Sequence, residues 1–272
     1  MLGNITKMKA KLSSPVEYQL PVDDALLEMN SGIGSKIKLA YQGEINCVSC
    51  GRKTSKSYAQ GHCYPCFISL AECDMCIMKP ETCHFDAGTC REPEWAQNHC
   101  MQPHYVYLAN SSGLKVGITR GSQIPTRWID QGASQALPIF KVATRLQSGL
   151  LEVALKSHVS DRTDWRKMLK GIPEPQDLEI LRDELVESCA QTVDELQQQF
   201  GESNIEFLPK ESIVEIEYPV SEYPEKVKSL NLDKTPEIEG TLLGIKGQYI
   251  ILDSGVLNIR KYSGYKLAVD LN

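Results

Sequence analysis

Nine of the ten cysteines in this chain of 272 residues lie between positions 47 and 100. Cys47, Cys50, Cys63 and Cys66 form two CxxC pairs separated by a spacer of twelve residues. Two such pairs, each in a tight turn, can bring four sulfurs to one ion at about 2.3 Å. The spacing therefore predicts a tetrahedral metal site, with zinc as the expected ion and an iron–sulfur cluster as the alternative.

A second group of cysteines follows directly, and it begins with another CxxC pair at positions 73 and 76. The candidate ligands of a second site are Cys73, Cys76, Cys83, Cys90 and Cys100, with His84, His99 and His104 as possible substitutes. The sequence does not choose among them beyond the first pair. Two sites of this kind predict about two structural zinc ions per chain. Cys189 lies in a distant helical pattern and is expected to be a buried apolar residue.

A disulfide framework is the alternative to metal, and it requires an oxidising compartment. The first residues, MLGNITKMKAKLSS, lack the apolar run of a secretory signal, and no stretch approaches the ~20 apolar residues of a membrane span. We therefore expect a cytoplasmic protein that does not enter a membrane.

Charge is distributed unevenly along the chain. The net charge is −6, yet residues 103–170 carry ten basic and four acidic side chains, whereas residues 171–272 carry nine and twenty. A basic segment in an acidic protein is typical of a surface that binds phosphates. We expect DNA or RNA as a partner of the basic segment and allow a protein partner for the acidic C-terminal region.

The basic segment also has a readable order of elements. HYVYLAN (104–110) and LKVGIT (114–119) are β-branched and aromatic runs joined by a turn, which predicts an antiparallel hairpin. Pro125 is placed to open a short helix that Gly132 ends, and PIFKVATR (138–145) reads as a third strand. A helix capped by Ser148 follows, and a further one is predicted from Asp161 through Leu169.

With this order of elements the segment resembles the GIY-YIG nuclease superfamily, whose core is a three-stranded antiparallel sheet with helices against it. The first motif corresponds to YVY (105–107) and the second to KVG (115–117). The matching site residues are Tyr107, Lys115, Gly117, Arg127 and Glu152, with Lys115 in place of a motif tyrosine and Gln131 in place of a frequent histidine. The cysteine-rich segment together with this hairpin also resembles an uncharacterised bacterial zinc-binding family.

The resemblance implies a metal-dependent phosphodiesterase. Tyr107, aided by His104 or Lys115, would orient or deprotonate a water. Arg127 would grip phosphate oxygens, and Glu152 would bind Mg²⁺ as the cofactor ligand. Each residue also has a structural interpretation: Tyr107 as a core residue, Arg127 and Glu152 as an ion pair, and Lys115 as a solvated edge lysine.

The sequence as a whole predicts an α+β protein. Residues 1–45 are expected to form a β segment that packs with the C-terminal β region, and 46–102 a zinc-ribbon-like domain. Residues 103–170 are the GIY-YIG-like module, 171–202 a long amphipathic helix, and 203–272 a β-rich domain. The expected function is a nuclease-like activity with structural zinc. The alternatives are a non-catalytic DNA- or RNA-binding protein and a zinc-dependent regulatory protein.

Overall fold

The computed structural model describes residues 1–159 and 162–272 and shows a mixed α+β protein with antiparallel sheets. The strands in these ranges are β1 (Leu2–Asn4), β2 (Lys9–Lys11), β3 (Glu17–Val22), β4 (Ala25–Glu28), β5 (Lys36–Asn46), β6 (Lys53–Thr54), β7 (His104–Asn110), β8 (Leu114–Arg120), β9 (Gln135–Val142), β10 (Ile205–Phe207), β11 (Val214–Glu215), β12 (Glu237–Lys246), β13 (Tyr249–Leu252), β14 (Gly255–Asn258) and β15 (Tyr265–Leu271).

The α-helices in the same ranges are α1 (Tyr64–Ser69), α2 (Met75–Met78), α3 (Pro93–His99), α4 (Thr126–Asp130), α5 (Arg145–Leu155), α6 (Trp165–Met168), α7 (Leu178–Ser188) and α8 (Ala190–Phe200). Short 3₁₀ turns lie at Asn30–Gly32, Ala71–Cys73, Pro80–Thr82, Gly121–Gln123, Glu202–Asn204 and Ile259–Tyr262. None of these helices combines the length and the apolar character needed to cross a bilayer.

The central sheet has the strand order β10-β9-β7-β8, with β11 added beside β9. The predicted hairpin is confirmed, because β7 pairs with β8 in an antiparallel register from His104 to Asn110. Residues alternate between the two faces of β7. Val106 and Leu108 pack in an apolar cluster with α5, α7 and α8, while Tyr107 and Ala109 join the larger core formed with the terminal strands.

The two ends of the chain form one sheet of seven strands. Its order is β1-β15-β5-β12-β13-β14, and β6 pairs with the end of β5. The N-terminal strands β1 and β5 flank the C-terminal strand β15. A smaller sheet, β2-β3-β4, contributes to the same apolar core. The central module is therefore covered on one face by strands from both chain ends.

Two helical details differ from the expectations. The cap of α5 is Thr144 rather than Ser148, because the Thr144 hydroxyl accepts a hydrogen bond from the backbone N–H of Gln147 and the Gln147 side-chain oxygen accepts one from the backbone N–H of Thr144. The predicted long helix is divided at Cys189 into α7 and α8. α7 contacts β7 and β9, whereas α8 contacts β10 and α5, so the change of direction lets both apolar faces be buried.

Cys189 itself is buried in the apolar cluster beside α5, as predicted. The predicted helix start at Asp161 lies outside the described residues. Within them, α6 begins after Asp164, whose side chain accepts hydrogen bonds from the backbone N–H groups of Arg166 and Lys167.

The cysteine-rich segment contains short helices and turns and docks directly on α5. Gly149 in α5 makes the close approach possible, since a Cβ atom there would lie 2.5 Å from the backbone nitrogen of Glu81. The backbone N–H of Arg145 donates to the carbonyl of Cys100 at 2.8 Å. The side chain of Arg145 donates to the carbonyl of Ile77 at 2.6 Å. The cysteine-rich segment is thus attached to the helix that carries Glu152.

Candidate metal centres and phosphate-binding site

Four cysteines of the first site, named here the first-site cysteines, come together as the spacing predicts. They are Cys47, Cys50, Cys63 and Cys66, and their sulfurs all lie within 4.8 Å of one another. The sulfurs of Cys50 and Cys63 are 3.7 Å apart. Four thiolates around one ion at 2.3 Å stand about 3.8 Å from each other. The arrangement therefore fits a single tetrahedral metal ion such as zinc.

Local backbone structure builds this site. Cys47 follows the last residue of β5, and β6 pairs back on β5, so the turn between them holds Cys47 and Cys50. Gly51 has a φ of 71°, which a side-chain-bearing residue rarely adopts. Cys63 directly precedes α1, which places Cys66 in its first turn. Both halves thus come from short stretches of chain.

The first-site cysteines have unequal acidities. Burial alone would raise the pKa of Cys47, but the backbone N–H groups of Cys50, Cys63 and Ser49 outweigh it and lower the pKa to about 6. Burial, followed by hydrogen bonds with the neighbouring thiols, raises the pKa of Cys66 to about 12. Four thiolates repel one another at this distance, and a bound cation removes that cost.

The remaining five cysteines are divided by the structure. Burial raises the pKa of Cys73 to about 11, and the charges of Glu72, Arg91 and Cys47 also act on it. The other four line one cavity between α2, α3 and the loop that joins them, and they are named here the cavity cysteines, Cys76, Cys83, Cys90 and Cys100. The cavity lining therefore includes Cys76 but not Cys73, although the two form a CxxC pair in sequence.

A compact group of three different ligand types lies at the mouth of this second region. Asp74, Cys76 and His84 offer atoms that lie within 4.8 Å of one another. Asp74 is already engaged, because the Arg91 side chain donates to it at 2.7 Å. His84 Nδ1 lies 2.8 Å from the hydroxyl of Thr89. Of the other predicted histidine ligands, His99 stacks on Trp95 and His104 is buried on β7.

Tyr107 is the central residue of the candidate phosphate-binding site. Its side chain is 0% exposed, and its hydroxyl donates to Oε1 of Gln131 at 2.9 Å. Gly117 lies opposite on β8, where a Cβ atom would be 2.7 Å from the Tyr107 hydroxyl. Gly117 is therefore required to leave room for the phenol ring. Gln131, which stands in for the histidine of the resembled family, is the acceptor that holds the ring.

Arg127 and Glu152 lie close to the same phenol. Burial raises the pKa of Tyr107 to about 12, the charge of Arg127 opposes this rise, and the charge of Glu152 adds to it. Arg127 comes from α4 and Glu152 from α5, so two helices bring them to one strand. The charges of both side chains act on this one phenol, and their interpretation as a structural ion pair stays a prediction.

Lys115 is not the solvated edge residue of the structural interpretation. It lies on the outer strand β8 but is only 3% exposed. Its cross-strand partner is Ala109, which belongs to the large apolar core, so Lys115 faces the covered side of the sheet. Lys115 lies two positions before Gly117 on this strand.

The charge of Arg127 acts on Tyr107 and on two further arginines, and the three are named here the arginine cluster: Arg127, Arg145 and Arg260. Burial lowers the pKa of Arg145 and of Arg260; the charges of Cys100 and Asp130, respectively, oppose this, and the charge of Arg127 adds to it. Arg260 comes from the turn before β15, in the acidic C-terminal region, and sequence reasoning missed it. Its position in the sequence does not indicate a role at this site, because only the packing of the terminal sheet on α4 brings it near Arg127.

Comparison with known families identifies the family to which the chain belongs. The family model described as "Protein of unknown function (DUF2797)" matches residues 34–267, and the chain belongs to this family. No curated protein and no solved structure matches it. The family model extends over the first-site cysteines, the central sheet and the turn that carries Arg260.

Proposed function

We propose that the protein binds nucleic acid through the arginine cluster, on a module with the GIY-YIG-like arrangement of strands and helices. The arginine cluster, in which the charge of Arg127 acts on two further guanidinium groups, is the observation that carries this proposal. Burial is the main reason that the pKa values of Arg145 and Arg260 are lowered, and the charge of Arg127 adds to it, so a bound anion would favour the charged forms. A planar guanidinium is the side chain best suited to phosphate oxygens.

The environment of Tyr107 favours binding over cleavage. A phenol that activates water must reach the water and lose its proton near neutral pH. Tyr107 is fully buried, its proton is donated to Gln131, and its pKa is raised to about 12. Lys115 is buried as well. Zinc at the first site would then serve to hold the cysteine-rich segment in place beside the nucleic acid.

A Mg²⁺-dependent phosphodiesterase is the second candidate, and the position of Glu152 favours it. The charge of Glu152 acts on both Tyr107 and Arg145, which supports a role for this carboxylate near the proposed phosphate site. A single carboxylate can hold a Mg²⁺ ion that keeps most of its waters. Arg127 would then stabilise charge that builds on the phosphoryl oxygens.

Binding of fluorescent oligonucleotides, single- and double-stranded, tests the first candidate. Affinity should fall steeply with added salt, because each neutralised phosphate releases counterions. Arg127→Ala and Arg260→Ala should each weaken binding by roughly tenfold. Lys210→Ala and Lys226→Ala, which remove exposed charges elsewhere in the C-terminal region, are the controls. No binding at low salt, or equal losses in all four variants, would refute the arginine cluster as the site.

Cleavage of the same oligonucleotides with and without Mg²⁺ separates the two candidates. An enzyme should lose roughly a hundredfold or more in rate in Glu152→Gln while it keeps its affinity. A binding protein should release no fragments in the wild type, and Glu152→Gln should leave its affinity nearly unchanged. Metal-dependent cleavage that disappears in Glu152→Gln would make the enzyme the correct account.

A further inference from the structure

Three side chains that can hold one cation meet at the start of α2 and in the loop after it. Asp74, Cys76 and His84 each offer a ligand atom, and these atoms lie within 4.8 Å of one another. All three side chains border one small cavity of about 10 Å³, which is the size of a single water molecule or ion. Carboxylate, thiolate and imidazole groups are all ligands of zinc.

The hydrogen bonds of His84 leave its Nε2 as an acceptor. Nδ1 lies 2.8 Å from the hydroxyl oxygen of Thr89, and that hydroxyl donates to the carbonyl oxygen of His84 at 3.4 Å. Because the hydroxyl has one proton, Nδ1 is the donor of the shorter bond. In the neutral imidazole Nε2 then carries the lone pair. This is the tautomer in which a histidine binds a metal through Nε2 while a neighbour holds its other nitrogen.

This nitrogen faces the carboxylate of Asp74 at a distance that fits two ligands of one ion. The distance from His84 Nε2 to Asp74 Oδ2 is 3.6 Å, beyond the range of about 2.7–3.2 Å for an N–H···O hydrogen bond. Two ligand atoms at about 2.0–2.1 Å from one tetrahedral zinc stand roughly 3.4 Å apart. A lone pair and a carboxylate that face each other repel, and a cation between them attracts both.

Asp74 supplies a second observation, because its carboxylate is not used to cap the helix it precedes. An aspartate at this position usually accepts a hydrogen bond from the helix backbone, but within the described part of the chain the Asp74 side chain makes no such bond. It accepts from Arg91 at 2.7 Å and faces His84. A carboxylate has enough lone pairs to bind a cation as well, and an outer hydrogen bond of this kind holds a ligating carboxylate in place.

We propose that Asp74, Cys76 and His84 bind one zinc ion, with Thr89 and Arg91 as the positioning residues that orient His84 and Asp74. Cys76 binds as a thiolate and releases its proton to solvent. Zinc is the expected ion because it takes sulfur, nitrogen and oxygen ligands together in tetrahedral geometry. The fourth position is open to a thiolate of another cavity cysteine or to a water.

The zinc content of the purified protein tests the proposal. We expect about two zinc ions per chain in the wild type, one at each site. Asp74→Asn and His84→Gln should each lose at least about tenfold in affinity for the second zinc, measured by competition with a chromogenic chelator. Both variants should keep the zinc of the first site, which shows that the chain has folded. A wild type that holds one zinc and takes up no second ion from added zinc would overturn the proposal.

Matched variants in the same segment assign the ligands. Asp86→Asn removes an exposed carboxylate from the same loop, and His99→Gln removes a histidine that stacks on Trp95. Both variants should keep the second zinc. Equal losses in Asp86→Asn and Asp74→Asn, or in His99→Gln and His84→Gln, would refute the ligand set. A second zinc that stays in His84→Gln but is lost when a cavity cysteine is replaced by serine would overturn the proposal in favour of a site of cysteines alone.

Thr89 is tested through the affinity for the second zinc. Thr89→Ala removes the hydroxyl that fixes the imidazole ring, so this affinity should fall about tenfold while the first site is unchanged. Thr89→Ser keeps the hydroxyl and should restore most of the affinity. An unchanged affinity in Thr89→Ala would refute the role of Thr89 in orienting His84.

Discussion

The two cysteine sites differ in how their ligands are brought together. The first-site cysteines come from two short turns, one between paired strands and one at the start of α1. The cavity cysteines come from α2, the loop after it and the end of α3, and they face α5 of the central module. Short stretches of chain thus suffice to bring the first-site cysteines together. The cavity cysteines depend in addition on the packing of the cysteine-rich segment against α5. Cysteine count alone therefore does not define a metal site.

The largest effect is expected when a first-site ligand is removed. Cys63→Ser should abolish zinc binding at this site, because structural zinc contributes on the order of 10 kcal/mol to the folding of small domains. Residues 47–70 should become sensitive to protease, while the central module stays folded. Zinc content and limited proteolysis measure this. A variant that keeps its zinc and its protease resistance would mean that the site has another ligand.

Docking of the second region is tested at Gly149. A Cβ atom there would lie 2.5 Å from the backbone nitrogen of Glu81 and 2.6 Å from Cβ of Pro80. Gly149→Ala should therefore cost about 2–3 kcal/mol in unfolding free energy, measured by denaturant titration. The first site should keep its zinc.

Gly171→Ala is the matched control, since a Cβ at Gly171 meets no atom within 4 Å. Equal effects of the two changes would contradict the close packing of the cysteine-rich segment on α5. Loss of zinc from the first site in Gly149→Ala would show that the two sites do not fold separately.

Low pH should reduce the stability of the folded protein through His104, a buried residue of β7. Burial lowers the pKa of His104 from 6.5 to about 4, while the charges of Arg145 and Arg120 lower it further and a hydrogen bond with the Gln102 carbonyl opposes this. Between these values the unfolded chain binds the proton and the folded protein does not. The contribution of His104 to the free energy of unfolding is therefore fully present above pH 6.5 and is lost as the pH falls to 4.

The expected loss is about 3 kcal/mol. His104→Gln should flatten the stability profile over this range, whereas His158→Gln, an exposed histidine on the same module, should not. Denaturant titrations at several pH values measure the difference. An unchanged profile in His104→Gln would contradict a neutral buried imidazole.

The smallest effect is expected at Arg91, which touches both sites. Its side chain donates to Asp74 at 2.7 Å and to the carbonyl of Leu70 after α1 at 3.1 Å. Arg91→Gln should cost about 1 kcal/mol, because these bonds are only partly buried. Lys79→Gln removes an exposed charge from the same segment as a control. If Arg91→Gln also lowers metal content at both sites, then Arg91 couples them and the two sites do not form independently.

Much of the fold was predictable because its signals are local. Alternation over β7 and β8 indicated the hairpin, and Gly132, with a φ of 68°, ends α4 as expected. The division of the predicted long helix at Cys189 was not predictable, because the apolar spacing continues through it. It results from the different surfaces that α7 and α8 cover.

The sequence by itself determined the first site and the basic segment that carries Arg127, since both depend on residue types at short spacing. Only the tertiary structure brought Cys76 but not Cys73 to the cavity lining, placed Arg145 between the cavity cysteines and Glu152, and brought Arg260 beside Arg127. Arg127 and Arg260 are separated by more than a hundred residues. Such contacts carry no local pattern, because they form only when the terminal sheet buries its apolar face against the central module.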